Sequence, residues 1–233
     1  MRTKFKMRKA VVTLSGGADS ATVLYLAMKE CDEVHAISVD YGQRHKKEIE
    51  SAKKLCEING ITHKIVEFTT LGSFGGSPLV DMAMDVPDQA DNKQASTVVP
   101  YRNTFLTTIA AAYAHSLGFN VVYVGPTYED LANYPDCRPE YLSALQKALR
   151  LGGTIHELEI CAPFITTTKD VIINVGMQLG VPYAYTWTCY KGGDTPCLEC
   201  DSCRERMKSF KMNGIADPLV TLAAWQTYIT EIK

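Results

Sequence analysis

The sequence predicts an α/β fold with a doubly wound, mostly parallel five-stranded sheet and a small C-terminal zinc-binding subdomain. Apolar strand segments alternate with amphipathic helical segments, a pattern typical of parallel sheets covered on both faces. A pair of glycines joins the first strand to the first helix, and four cysteines cluster near the C-terminal end. The 233 residues suit one α/β domain with a small appendage, and we expect domains at residues 1–185 and 186–233.

The first half of the predicted sheet is assigned from short apolar runs. Residues 10–14 and 34–39 read as buried strands, and 63–68 as a third strand. Residues 21–28 carry the apolar face of a helix between the first two strands. A second helix over 46–58 ends at Asn59 and Gly60, a usual stop signal.

The second half continues the same alternation. The apolar periodicity predicts helices over 103–117 and 168–179, each followed by a glycine. Pro139 fits the first position of another helix. Residues 121–124 and 157–162 read as the fourth and fifth strands. Ligands of such sheets bind at the carboxyl ends of the strands, where the strand order reverses.

Composition narrows the class of protein. The formal net charge is −2, so the chain lacks the broad basic character of nucleic-acid-binding proteins. No apolar run approaches the roughly 20 residues that span a bilayer. The basic opening segment, residues 2–9, lacks the apolar core of a secretion signal. We therefore expect a cytoplasmic protein with small-molecule substrates and no membrane or nucleic-acid partner.

The loop after the first strand has the composition of a phosphate-binding loop. Its glycines allow backbone N–H groups to approach phosphate oxygens, and the following helix N-terminus favours anions. Ser15 and Ser20 add hydroxyls and Asp19 suits Mg²⁺, so these three are the predicted catalytic residues of the loop. A flexible turn with Asp19 or Ser20 as helix N-cap is the alternative interpretation. The predicted nucleotide contacts are Leu14, Ser15, Gly16, Gly17, Ala18, Asp19, Ser20, Ala21, Thr22 and Asp40.

The cysteine cluster predicts a metal site. Cys189, Cys197, Cys200 and Cys203 follow a C-x7-C-x2-C-x2-C spacing. Four thiolates so placed suit one tetrahedral Zn²⁺ with no open position, hence a structural role. Disulfides and an iron–sulfur cluster are the competing interpretations; the reducing compartment argues against the first.

Residues 69–100 do not fit the alternation of strand and helix. The segment is rich in Gly, Ser, Pro and Asp. Loops of this length in compact domains are usually lids, binding loops or disordered segments. We expect a lid over the nucleotide site, with plain surface disorder as the alternative.

Three further strings give the sequence a specific resemblance. They are DYGQRH at 40–45, VPYRN at 99–103 and YPDCR at 134–138. With SGGADS at 15–20 and the four cysteines, they resemble the 7-cyano-7-deazaguanine synthase (QueC) family of PP-loop ATPases, over residues 11–217. The loop departs from the Walker A pattern, because no Gly-Lys-Ser/Thr follows. The resemblance implies a structural zinc, a homodimer, and conversion of 7-carboxy-7-deazaguanine, ammonia and ATP into 7-cyano-7-deazaguanine for queuosine biosynthesis.

The resemblance also implies roles for individual residues. Arginines are favoured to hold the substrate carboxylate, because their geometry is bidentate, and Arg102 is expected to be catalytic. Asp136 is expected to accept hydrogen bonds from the guanine-like N1–H and 2-amino group. Lys47 is interpreted as part of a solvated helix face. The implied substrate-binding residues are Arg44, His45, Arg102, Asn103, Asp136, Arg138 and Lys169.

Other functions remain open at this point. Relatives often carry a Gly-Ala-His-like string in the segment 125–133, where this chain has Thr127. A QueC-like paralogue is the alternative: it adenylates the same carboxylate but joins it as an amide to a protein or nucleic-acid amine, for example in a defence cassette. Two further candidates are a PP-loop tRNA-modifying enzyme and a non-enzymatic zinc-ribbon adaptor. The lack of a broad basic character argues against the first, and the phosphate-binding loop argues against the second.

Overall fold

The computed structural model describes residues 7–44, 46–81, 83–84 and 98–231. Its centre is a five-stranded sheet with the order β3-β2-β1-β4-β5, in which every pair of neighbours is parallel. The strands are β1 (Lys9–Thr13), β2 (Glu33–Asp40), β3 (Thr62–Glu67), β4 (Val121–Tyr123) and β5 (Glu159–Cys161). The α/β class and the parallel five-stranded sheet predicted from the sequence are confirmed.

Eight α-helices connect and cover the strands in the described part of the chain. They are α1 (Ala18–Glu30), α2 (Lys47–Asn59), α3 (Thr70–Ser73), α4 (Arg102–Ser116), α5 (Pro139–Gly152), α6 (Lys169–Leu179), α7 (Asp201–Met212) and α8 (Leu222–Glu231). The predicted helices are present with ends shifted by a few residues. The largest shift is at α1, which begins at Ala18 and not at residue 21, because Gly17 is its N-cap. Asp19 and Ser20 therefore lie inside the helix, and their interpretation as N-cap is wrong.

Hydrophobic residues on both faces of the sheet show that the fold is doubly wound. Ala10 and Val12 of β1 pack in one cluster with α1 and α6. Val11, between them, packs in a second cluster with α4 and α5 on the opposite face. This alternation is what the strand geometry requires when both faces are covered by helices.

The C-terminal helices share the core of the sheet domain. Phe210 of α7 and Trp225 of α8 belong to the same cluster as α1 and α6. Arg206 of α7 forms a buried ion pair with Asp217, with Nε 2.7 Å from Oδ2. The predicted domain boundary at residue 185 stays a prediction. Helices α7 and α8 pack against the core of the sheet domain. None of the described helices is long and apolar enough to cross a membrane.

The strand order places the ligand-binding edge. The order reverses between β1 and β4, so their carboxyl ends diverge and leave a crevice. The loop after β1 becomes the start of α1, and the segment after β4 contains the 3-10 helices Tyr128–Leu131 and Pro135–Cys137. Three of the sequence strings singled out above flank this crevice.

Candidate active site

A cleft of about 280 Å³ opens at this edge of the sheet. Its wall combines the loop after β1, the loop after β2, the start of α4 and the segment after β4, as predicted for one crevice. The predicted site residues that line it are Leu14, Ser15, Gly17, Ala18, Asp19, Ser20, Arg44, Arg102, Asn103, Asp136 and Lys169. The structure thus brings together most of the residues that the sequence motifs suggested.

The loop after β1 is held by close backbone packing. Gly16 has φ +91°, and a Cβ placed on it would lie 2.1 Å from the carbonyl oxygen of Glu48 in α2. Only glycine permits that approach. The Gly16 carbonyl accepts a hydrogen bond from the backbone N–H of Trp187 at 2.9 Å. The loop is therefore clamped between the start of α2 and the segment that leads to the cysteines.

The side chains of the loop point to an anion site. Ser15 Oγ and Ser20 Oγ lie 3.0 Å apart, and Ser15 Oγ also accepts from Gly17 N at 3.2 Å. The first-turn N–H groups of α1 have no acceptors within their own helix and carry the positive end of its dipole. Hydroxyls and backbone donors converge here, which suits phosphate oxygens.

Asp19 is an acid in a largely negative neighbourhood. Burial raises the pKa of Asp19 to about 6, and Asp130, Glu129 and Glu205 add to the rise while Lys169 opposes it. Lys169 Nζ forms an ion pair with Glu205 Oε2. Burial alone would lower the pKa of Lys169, but Asp19 and Glu205 raise it above its ordinary value. Lys169 therefore stays a cation and bridges the phosphate loop to α7.

Arg102, at the first position of α4, occupies an aromatic corner of the cleft. Its guanidinium carbon lies 5.9 Å from the ring centroid of Tyr41 and 5.7 Å from that of Tyr134. Glu48 faces the same corner: burial raises the pKa of Glu48 to about 7, although the Arg102 charge opposes the rise. This corner contains one fixed cation, one carboxyl group and flat rings, all lining the cleft.

Asp136 lies in the cleft wall but is already engaged. Its Oδ2 accepts from the backbone N–H of Asn103 at 2.9 Å, and its Oδ1 accepts from Asn103 Nδ2 at 3.1 Å. Asp136 thereby accepts hydrogen bonds at the start of α4, from the residue next to Arg102 in the sequence. Asn103 Nδ2 also approaches Cys137 Sγ at 3.2 Å. Burial raises the pKa of the Cys137 thiol to about 12, so it is a packing group and not a thiolate nucleophile.

Some predicted site residues lie behind the lining. Arg138 Nε donates to the Leu131 carbonyl at 3.0 Å and holds the 3-10 segment in place. Thr22 is fully buried, with Oγ1 2.8 Å from the hydroxyl of Tyr183. Asp40 Oδ1 accepts from Gly42 N at 3.1 Å and shapes the loop after β2. Gly16 and Ala21 are buried within the loop packing, and His45 lies outside the described residues.

Thr127, where the sequence departs from the family pattern, has a local structural role. It is fully buried, and Asp130 Oδ2 accepts from both its backbone N–H at 2.8 Å and its Oγ1 at 2.9 Å. This is a capping box that starts the 3-10 helix Tyr128–Leu131. The segment therefore keeps a defined shape in which Gly125, Pro126 and Asp130 reach the cleft.

The four cysteines form a site whose geometry fits zinc. Cys189, Cys197, Cys200 and Cys203 have Sγ atoms that all lie within 4.8 Å of one another. A tetrahedral Zn²⁺ with bonds of about 2.3 Å places sulfurs roughly 3.8 Å apart. Backbone N–H groups of Glu199 and Cys200 donate to Cys197 Sγ at 3.4 and 3.3 Å, which supports thiolate character. The donor set could hold zinc, and all eight cysteines of the chain are free thiols.

The cysteine site borders the cleft directly. Four residues that adjoin the cysteines in sequence line the cleft: Trp187, Thr188, Tyr190 and Ser202. Lys47 Nζ lies 4.7 Å from the Trp187 ring centroid and 3.3 Å from Asp194 Oδ1. Lys47 does not line the cleft and its side chain is partly exposed, so its interpretation as part of a solvated helix face stays a prediction.

Two parts of the site were missed from the sequence. Glu48 follows the motif at 40–45 by only three residues but was not among the predicted site residues. Glu205 comes from α7, 36 residues after its partner Lys169. The closeness of Glu48 to that motif was the available signal, while nothing local in the sequence indicated Glu205.

Of the segment 69–100, the structure describes residues 69–81, 83–84 and 98–100. Leu71, Leu79 and Val99 form a small cluster beside Tyr41 and Phe68. Leu79 lines the cleft, and its carbonyl accepts from Arg44 N at 3.0 Å. Residues 82 and 85–97 lie outside the described residues, and a lid function stays a prediction.

Comparison with known proteins assigns the family. A family model described as "Queuosine biosynthesis protein QueC" matches residues 9–214. The chain belongs to the QueC family. The chain is 48% identical over 219 residues to a 7-cyano-7-deazaguanine synthase of Thermoplasma acidophilum, covering 91% of both chains. It is 46% identical over 222 residues to the synthase of the same name from Trichodesmium erythraeum, covering 91% of this chain and all of the relative.

A solved structure with low sequence similarity supports the fold of this QueC-family chain. It is described as a predicted subunit of a tRNA methyltransferase from Methanocaldococcus jannaschii. The TM-score is 0.51 at 12% identity, covering 92% of each chain. At this identity the likeness bears on the fold alone.

Proposed function

We propose that this QueC-family protein is an ATP-dependent synthase that converts 7-carboxy-7-deazaguanine and ammonia into 7-cyano-7-deazaguanine. The observation that carries the proposal is one cleft in which the phosphate loop of Ser15, Asp19 and Ser20 faces Arg102. Relatives named 7-cyano-7-deazaguanine synthase match over nearly their whole length, which supports the same substrate class for this chain.

The first reaction activates a poor electrophile. A carboxylate oxygen of the substrate attacks the α-phosphorus of ATP and pyrophosphate leaves. Ammonia then adds to the acyl carbon, the bond to AMP breaks, and loss of a proton gives the primary amide. Ser15, Ser20 and the first turn of α1 supply the donors that stabilise charge on the α-phosphate during both steps.

The second reaction removes the amide oxygen. That oxygen attacks a second ATP, pyrophosphate leaves again, and the adenylated amide loses AMP and a proton to form the nitrile. The same loop serves both adenylations, because each places negative charge on the same phosphate oxygens. Lys169, held by Glu205 beside Asp19, is a fixed cation that can balance this charge.

Two metals accompany this proposal. Mg²⁺, which neutralises nucleotide phosphates, would be held by Asp19 when the nucleotide is bound. Zn²⁺ would be held by the four cysteines and would fix the wall formed by Trp187 and Tyr190. Arg44 and Arg102 are the arginines that line the cleft and can orient the substrate carboxylate. We also propose that the protein acts as a homodimer in the cytoplasm, where its cysteines stay reduced.

The direct test is mass spectrometry of the protein incubated with magnesium-ATP, 7-carboxy-7-deazaguanine and ammonium. We expect free nitrile and two AMP per product. Asp19→Asn should abolish AMP formation. Asp170→Asn is the matched control, because Asp170 also lies in the first turn of a helix but outside the cleft lining, and it should leave the rate unchanged.

The alternative products separate the remaining possibilities. Accumulation of the amide or of a trapped adenylate, without nitrile, would contradict the synthase proposal and direct attention to a macromolecular amine. An unchanged rate in Asp19→Asn would contradict the assignment of the phosphate loop. Light scattering in the same buffer gives the mass of the species in solution, and a monomer would contradict the homodimer.

A further inference from the structure

We propose that Glu48 recognises the guanine-type edge of the substrate, accepting hydrogen bonds from its ring N1–H and 2-amino group. This inference rests on the proposed function and adds a specificity-determining residue to it. The carboxyl group of Glu48 lines the cleft in the same corner as Arg102 and the rings of Tyr41 and Tyr134.

The first argument is that the Glu48 carboxylate has the Arg102 charge beside it but accepts no hydrogen bond from the residues that the structure describes. Within residues 7–44, 46–81, 83–84 and 98–231, no side chain or backbone group donates a hydrogen bond to its carboxylate. Burial raises the pKa of Glu48 and the Arg102 charge opposes the rise. Burial also raises the pKa of the nearby Tyr41 hydroxyl, and the Glu48 charge adds to that rise. Glu48 is half-buried, so water can solvate its carboxylate, and a ligand that displaces this water must supply the hydrogen-bond donors.

The second argument excludes other ligands for this carboxylate. Phosphate oxygens carry negative charge and accept hydrogen bonds, so a carboxylate repels them. A metal cation is disfavoured because Arg102 already neutralises the corner. Adenine has no ring N–H on its pairing edge, so it would set its ring-nitrogen lone pair against the oxygens of the ionised Glu48 carboxylate. The fitting ligand is a neutral edge with two adjacent donors.

The third argument is the order of groups on the substrate. Around one side of 7-carboxy-7-deazaguanine, two acceptors, the 7-carboxylate and O6, are followed by two donors, N1–H and the 2-amino group. Arginine presents two parallel donors and glutamate presents two acceptors. Arg102 beside Glu48 therefore has the complementary order, and the nearby tyrosine rings suit a flat bicyclic base.

The fourth argument concerns the residue that the sequence motif favoured for this role. Both carboxylate oxygens of Asp136 accept hydrogen bonds from Asn103 at the start of α4. Both Asp136 oxygens are therefore already engaged, while the Glu48 carboxylate accepts no hydrogen bond within the part of the chain that the structure describes. Glu48 is also secured independently of its side chain, because its backbone carbonyl packs against Gly16.

The test compares two ligands and three variants by isothermal titration calorimetry. The ligands are 7-carboxy-7-deazaguanine and its analogue without the 2-amino group, 7-carboxy-7-deazahypoxanthine. We expect the wild-type protein to prefer the guanine form by about tenfold or more, since a good bidentate contact discriminates by roughly that factor. Glu48→Gln should abolish or reverse the preference, because an amide offers one acceptor and one donor.

The controls make each outcome decisive. Glu50→Gln removes the same charge from an exposed position in the first turn of α2 and should keep the wild-type preference. ATP affinity should be unchanged in Glu48→Gln. Retention of the wild-type preference in Glu48→Gln, or its loss in Asp136→Asn alone, would overturn the inference but leave the synthase proposal intact. Failure of the wild-type protein to bind either base would overturn both.

Discussion

Replacing Gly16 with alanine tests the packing that holds the phosphate loop. The new Cβ would lie 2.1 Å from the Glu48 carbonyl oxygen and 2.9 Å from Ala52 N, both backbone atoms that cannot rotate away. Such overpacking costs about 1–3 kcal/mol. The φ of +91° adds about 1–2 kcal/mol for a residue with a side chain. We expect the free energy of unfolding to fall by roughly 2–5 kcal/mol.

The matched control is Gly60→Ala, which isolates the backbone term. Gly60 has a φ of +63°, and nothing lies within 4 Å of its Cβ position, so the cost should be only about 1–2 kcal/mol. Urea unfolding of both variants, extrapolated linearly to water, measures the difference. ATP affinity should fall in Gly16→Ala alone. Equal losses of stability in the two variants would refute the argument that α2 clamps the loop.

Three further perturbations probe other parts of the structure. Arg206→Met leaves Asp217 buried without its partner and should cost about 3–5 kcal/mol in urea unfolding; a cost below about 1 kcal/mol would contradict the role of this pair. Removing metal from the cysteine site with a chelator should weaken binding of an ATP analogue and change tryptophan fluorescence. The reason is that the backbone N–H of Trp187, next to that site, donates a hydrogen bond to the Gly16 carbonyl of the phosphate loop. An unchanged affinity would argue against this coupling between the cysteine site and the loop. Burial raises the pKa of Asp19 to about 6, so the folded state binds the proton more tightly and the ligand-free protein gains stability as the pH falls through 6. Asp19→Asn should therefore be more stable than wild type at pH 8, by about 1 kcal/mol or more, and a less stable variant would contradict that sign.

The elements of the fold were predictable because each carries its own local signal. Strand β1 shows a short apolar run, and α2 ends at Gly60 with a φ of +63°. The start of α1 was misjudged because glycine, and not a polar side chain, is its N-cap. Capping by glycine leaves no side-chain signature to place the boundary.

Residues whose function depends on distant partners were harder to assign. The motif context placed Asp136 at the cleft correctly, but its hydrogen bonds to Asn103 depend on how α4 meets a 3-10 helix. Arg138 belongs to the same string and yet turns toward the Leu131 carbonyl. A motif identifies which loop reaches the site, whereas the direction of each side chain follows from packing that the sequence does not display.

The electrostatics of the cleft connect its two halves. Asp19 and Glu48 are both carboxyl groups whose pKa values are raised by burial, so the ionised form of each is unfavourable in the cleft. The two ligands relieve these costs differently. Under the two proposals above, a nucleotide with its cation would neutralise Asp19, and a base with two donors would hydrogen-bond to Glu48. Because the Glu48 backbone packs against Gly16 of the phosphate loop, each ligand orders a wall that the other contacts. Binding of the two substrates should then be mutually favourable, which is the linkage expected of sites that share a clamped loop.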